Sequence, residues 1–206
     1  MKSKHLLHLL MMALLVPGIV NAQNLPANSP KSTSWQEITI NSNVSDKVSY
    51  YVPICGQFAN YATSSQFIIP ATSLQQIVGC TVGQLTFYTS PNFATRDYGD
   101  ATFKVYMLEV PNDQFASTEF FDWESLTQVY EGTLSVSNSQ MVVDLDNDFS
   151  YSGDNLLIGF DLSQTGTGVE TGWLYQITDK QSSLYSIWIG EGSQPVIIEG
   201  ENQASY

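Results

Sequence analysis

"TFKVYMLEV", Thr102–Val110, decides the fold. Phe103, Val105 and Met107 fall on one side of an extended chain, while Lys104 and Tyr106 fall on the other. Only a period of two sorts them this way, so the segment is a strand with one apolar face. Further along, "QVYEGTLSVS" (128–137) and "SQMVVDLD" (139–146) flank the polar break "SNS" and read as a hairpin. "NLLIGFDLS" (155–163) is a nearly unbroken apolar run and predicts a central strand covered on both faces. More strands are expected at "SWQEITI" (34–40), "KVSYYVPI" (47–54), "SQFIIP" (65–70), "GQLTFYTS" (83–90), "GWLYQI" (172–177), "LYSIWIG" (184–190) and "PVIIEG" (195–200).

No stretch of ten residues carries a helical apolar stripe. The best helical turns are "PATSLQQI" (70–77), with Thr72 or Ser73 as cap and Leu74 and Ile77 inward, and "DWESL" (122–126). Many short strands with turns between them predict an all-β, antiparallel, jelly-roll-like sandwich carrying one or two short helical turns.

The N-terminus has the form of a secretory signal. Lys2 and Lys4 precede the short apolar run "LLHLLMMALLVPGIV", and "VNA" ends at Ala22 with small residues where cleavage requires them. Residues 1–22 are therefore expected to be removed, 23–34 to form a flexible tether, and 35–206 to form a single sandwich domain at the cell surface or outside the cell. Both histidines, His5 and His8, lie in the signal. The rest of the chain keeps Lys31, Lys47, Lys104, Lys180 and Arg96 against twenty acidic residues. That balance repels phosphate backbones and anionic lipid, so neither nucleic acid nor direct membrane insertion is expected.

Cys55 and Cys80 are the two cysteines. Export places them where disulfides persist, so they read either as a bridge or as two separate thiols.

The order of segments is informative as a set. "VPICGQFANYATSSQFIIPATSLQQIVGCTVGQLTFYTSP", "FKVYMLEVPNDQF", "VYEGTLSV" and "FSYSGDNLLIGFDLSQTGTG" together resemble a β-sandwich module of Bacteroides-type secreted and surface proteins, from about Val52 to about Gly168. The resemblance implies a structural or adhesive role and supplies no catalytic residues. The family usually has Tyr at the place of Cys55 and Gly at the place of Cys80. Two departures together favour a disulfide peculiar to this chain.

Without histidine beyond the signal there is no Ser–His–Asp arrangement and no His-ligated metal. No phosphate loop or cofactor motif is visible. The hydrolytic chemistry left is a carboxylate pair, with Glu109, Asp122, Glu124, Glu131, Asp161 and Glu170 as candidates. Binding is the stronger class, and a non-enzymatic module is expected. The chain is rich in aromatics, which stack on sugar rings or contact a partner protein. The candidate ligand residues are Arg96, Asp97, Tyr98 and Asp100 in "NFATRDYGD", and Trp173, Tyr175 and Trp188. Trp123, inside a turn, reads as a plug over the sandwich end. Adhesion to a glycan or host protein is the first reading, assembly of a surface system the second, and a carboxylate glycoside hydrolase the third.

"DLDNDFSYSGDN" (144–155) looks like a calcium loop but fails the EF-hand pattern, with Phe149 at the sixth position and Asn155 at the twelfth. Asp144 and Asp146 continue the outward face of a strand, and the stretch reads as a solvated turn leading into "LLIGF".

Overall fold

A computed structural model describes residues 36–40, 48–188, 196–199 and 203–204, with side chains described outside 177, 188, 196–199 and 203–204. The residues from Ile38 onward belong to one compact unit. Its strands are β1 (Val48–Ser49), β2 (Ala62–Ile69), β3 (Thr81–Tyr88), β4 (Arg96–Val110), β5 (Thr127–Val136), β6 (Gln140–Ser150), β7 (Asn155–Gln164), β8 (Trp173–Leu174), β9 (Gln176–Ile177), β10 (Ser183–Trp188), β11 (Val196–Glu199) and β12 (Gln203–Ala204). Between them lie short 3-10 turns and, among the described residues, no α-helix. The all-β antiparallel sandwich is as the alternation predicts.

One sheet has six strands in the order β11-β10-β2-β7-β4-β5. Facing it, β3 pairs with β6, and a single bridge from Thr89 to Trp173 extends this layer to the β1–β8 pair. A third small pair joins β9 to β12. The chain crosses between the layers at β2–β3, β3–β4, β5–β6 and β6–β7. Phe103, Val105 and Met107 of β4 face the main core, each at most 1% exposed. Phe67 of β2 and Phe160 of β7 meet Phe87 of the opposite layer edge-on, at ring separations of 6.0 and 5.4 Å. These three rings tie the layers together beyond their area burial.

β7 is central and apolar on both sides. Leu156, Ile158 and Phe160 enter the main core, whereas Leu157 enters a second one with Ile68, Val110, Phe115, Leu126 and Leu184. That second core lies under the connection 111–126, which folds back over the outer face of the six-stranded sheet. Gln66 holds it there: Nε2 donates to the Phe121 carbonyl at 2.9 Å, and the Phe121 N–H donates to Oε1 at 2.8 Å. A buried primary amide thus satisfies both polar groups of one loop residue.

Several expectations need correction. Residues 36–40 of the expected "SWQEITI" strand are not in a strand, and residues 34–35 lie outside the described ones. "KVSYYVPI" contributes only Val48–Ser49. The "SNS" hairpin turn is present, with Asn138 and Ser139 at φ 53° and 62°, but pairing stops at Ser137 and Gln140. β5 and β6 then part into different layers, because each buries its apolar side against the other sheet. In "PATSLQQI" Leu74 is buried and Ile77 half-buried, as expected. Neither Thr72 nor Ser73 is the cap, since Pro70 precedes the turn and Asn155 Oδ1 accepts from the Ala71 N–H at 3.0 Å.

The acidic stretch is strand, not turn, through Ser150. β6 bulges there, with the register shifting between Val82↔Phe149 and Gln84↔Asp144. Asp144 accepts from Gln84 Nε2 and Asp146 from the Glu131 N–H. The chain reverses later, at 151–154, where the Glu109 carboxylate accepts from the N–H groups of Ser152, Gly153 and Asp154 and from the Ser152 hydroxyl, all within 2.6–2.9 Å. Among the described residues no group of three or more His, Cys, Asp or Glu could hold a metal ion.

The cysteines are unbonded. Cys80 precedes β3 and is exposed. Cys55 is buried next to Ile54, whose carbonyl meets Trp173 near the far end of β3. The eight residues of β3 at about 3.3 Å each separate the two ends by on the order of 25 Å, far beyond the reach of a disulfide. Burial pushes the Cys55 thiol up to about 12, only partly offset by the Phe58 backbone hydrogen bond.

Candidate ligand-binding shelf

The sequence candidates fall into two groups. Arg96, Asp97 and Gly99 line a shallow groove of about 340 Å³ with Thr95, Thr133 and Ser135. The Arg96 guanidinium is already engaged: it donates to the backbone carbonyls of Glu170, Thr95 and Asn92 and lies 4.8 Å from the centre of the Phe93 ring. Asp97 accepts from the Gly99 N–H, and Asp100 is exposed. Tyr98 is fully buried and hydrogen-bonded to Thr171 at 2.8 Å. Desolvation raises its phenol well above the ordinary tyrosine value. Arg96 is thus a loop clamp and Tyr98 a core residue.

Trp173 is 0% exposed, and its indole N–H donates to the Ile54 carbonyl at 2.8 Å. Tyr175 is 4% exposed. Both rings belong to the interior, because the short β8 closes the sandwich instead of forming an outer sheet. The Trp188 side chain lies outside the described residues.

The structure assembles a different constellation on the outer face of the six-stranded sheet, just beyond the edge of the covering connection. Register aligns four residues across four strands: Ser64 of β2 opposes Asp161 of β7, Asp161 opposes Lys104 of β4, and Lys104 opposes Glu131 of β5. Residues directly opposite on neighbouring antiparallel strands share a face, with β-carbons about 5 Å apart. Ser64, Asp161 and Lys104 are half-buried and Glu131 is exposed. Ser64 Oγ donates to Asp161 Oδ1 at 2.6 Å, and Lys104 Nζ stands 3.9 Å from Glu131 Oε1. Desolvation pushes the Asp161 carboxyl up, offset in part by Ser64 and by Lys104.

The next row holds Gln66, Gly159 and Tyr106. Gly159 is buried and carries no side chain, and the indole of Trp123 fills the space above it. Tyr106 and Phe120 approach Trp123 edge-on, with ring centres 5.2 and 5.7 Å away. The result is a shelf: a ledge of three half-buried rings at the rim of the cover, and beside it a polar row of one hydroxyl, two carboxylates and one ammonium.

Of the other carboxylate candidates, Glu109 anchors the 151–154 reversal, and Asp122 caps the 3-10 turn Trp123–Ser125 through the Glu124 N–H. Glu124 and Glu170 are exposed. Asp161 and Glu131 alone share the shelf. Both are among the six acids the sequence offers as candidates, but no local pattern connects them to Trp123 or Lys104. The usable signal was Gly159, which interrupts an apolar strand where an aromatic from elsewhere must fit.

No protein-family model, curated protein or solved structure matches the chain.

Proposed function

We propose that this chain is an exported, non-enzymatic binding module of the secreted or cell-surface kind. Its binding surface is the shelf formed by Trp123, Tyr106, Asp161, Lys104 and Glu131. One observation carries this reading. An aromatic ledge and an in-register polar row stand side by side, largely half-exposed, on a hydrogen-bonded six-stranded sheet. A fixed sheet positions such groups at little ordering cost, which favours affinity. The signal-like N-terminus and the resemblance to a surface module support the exported setting. The test is a screen of the full chain and its Trp123→Ala variant against immobilised glycans and extracellular-matrix proteins. Binding that disappears with Trp123 while circular dichroism is unchanged supports the reading. Binding indifferent to Trp123, or self-association alone, favours an assembly subunit instead.

A hydrolytic reading has one observation in its favour: Asp161 and Glu131 lie two strand spacings apart, about 10 Å of backbone separation. Lys104 occupies the position between them, where an attacking water would need to stand. Binding without release of reducing ends is therefore expected.

A further inference from the structure

Resting on that reading of the shelf, we infer that its ligand is a neutral polyhydroxylated ring, a neutral sugar unit of a polysaccharide. Such a ring packs a C–H face against Trp123 and shares adjacent hydroxyls between Asp161 and Lys104. Three polar ends define the chemistry. Among the described residues, Asp161 uses one carboxylate oxygen on Ser64 and leaves the other without a hydrogen bond. Among the described residues the carboxylate nearest Lys104 Nζ is that of Glu131, at 3.9 Å, too far for a hydrogen bond, and the ammonium donates to no other described group. The Tyr106 hydroxyl has no hydrogen-bond partner among the described residues. An acceptor and a donor on directly opposed positions suit a pair of neighbouring hydroxyls, each of which both gives and takes a hydrogen bond.

Spacing and charge narrow the class. Gly159, beneath Trp123, and Asp161 are two residues apart on one strand face, roughly 6.7 Å. That distance lets one ring touch the indole and reach the carboxylate together. The polar row carries two carboxylates against one ammonium, on a chain with twenty acidic and seven basic residues. A uronate, sulfated or sialylated unit would meet like charge, so the row disfavours anionic rings, and the adjacent acceptor and donor fit the hydroxyls of a neutral one.

The experiment is affinity gel electrophoresis of the full chain. The gels contain β-glucan, galactomannan, xylan or arabinan as neutral polymers, and polygalacturonate or chondroitin sulfate as anionic ones. Retardation by at least one neutral polymer is expected. It should weaken about tenfold in Asp161→Asn and in Lys104→Met, and stay unchanged in Tyr61→Ala, whose exposed ring lies off the shelf. Asp161→Asn retains the oxygen that accepts from Ser64, so it tests the site without relying on Trp123 replacement. Retardation by anionic polymers alone overturns the inference, as does neutral-polymer binding indifferent to both Asp161→Asn and Lys104→Met. A matrix protein captured through Trp123, with no polysaccharide retarded, also overturns it but leaves the binding module standing. Absence of any Trp123-dependent binding removes both.

Discussion

A β-carbon on Gly159 would lie 2.7 Å from Cζ3 of Trp123 and 3.1 Å from Cη2, so the indole occupies the space this glycine leaves open. The displaced atoms are the far end of a half-exposed side chain, whereas Gly159 sits in the central strand of the sheet. Gly159→Ala should therefore move the ring and not the strand. Expected is a stability loss of about 1 kcal/mol in urea titration, at the low end for overpacking, together with about tenfold weaker ligand binding. A large stability loss with binding intact would show that the ledge is not where the ligand sits.

Gln66 is the fastening of the cover. Replacing it with Leu leaves the N–H and carbonyl of Phe121 without their amide partner. An unsatisfied buried group costs about 1–3 kcal/mol, and Phe121 is only half-buried, so the two groups together are expected to cost about 2–4 kcal/mol. Hydrogen exchange should speed up across 111–126 well before β7. Uniform acceleration over the whole sheet would instead mean that the cover and sheet open as one unit.

Glu109 gathers four donors from the 151–154 reversal. Desolvation acts to raise its carboxyl, but the Ser152 hydroxyl and the three backbone N–H groups outweigh it and hold it below the ordinary glutamate value. A depressed folded value means stability that is present above the unfolded pKa and lost as pH falls through the folded one. Glu109→Gln should cost about 1–2 kcal/mol at pH 7, with solvent screening discounted, and should flatten the acid limb of the stability curve. An unchanged acid limb would assign that limb to other carboxylates. Asp161 has the opposite sign. Burial raises it, so its contribution is fully present at low pH and lost as pH rises through the folded value. Ser64, Lys104 and Tyr106 are the groups facing it.

How far the sequence led depends on the range of the signal. Alternation at Phe103, Val105 and Met107, and the unbroken run of β7, are local, and both strands stand where they were expected. The outer-face cover was not legible. Phe115, Phe120, Phe121 and Trp123 follow neither period, and their common partner is a strand tens of residues away. The alignment of Ser64, Asp161, Lys104 and Glu131 depends on three long-range pairings that no single segment encodes. Aromatic content pointed instead to Trp173 and Tyr98. Their rings are large enough to anchor the core, and each spends its polar atom on a buried partner.

The cysteines offer a chemical check. Iodoacetamide on the native chain should modify exposed Cys80 alone, and Cys55 only after unfolding, because burial keeps its thiol protonated. Intact mass should show two free thiols. A mass lighter by two hydrogen atoms would reveal a bridge and contradict the placement of Cys55 and Cys80 at opposite ends of β3.

The most direct measurement compares wild-type chain, Trp123→Ala and Asp161→Asn on the polysaccharide that retards the wild type most, with thermal unfolding recorded for each. The expected result is a neutral polymer whose retardation falls about tenfold in Asp161→Asn at nearly constant melting temperature, and vanishes in Trp123→Ala, which melts lower through the lost indole packing on Gly159, Tyr106 and Phe120 but stays folded at the assay temperature. Equal retardation of all three folded proteins would contradict the assignment of the shelf as the binding surface.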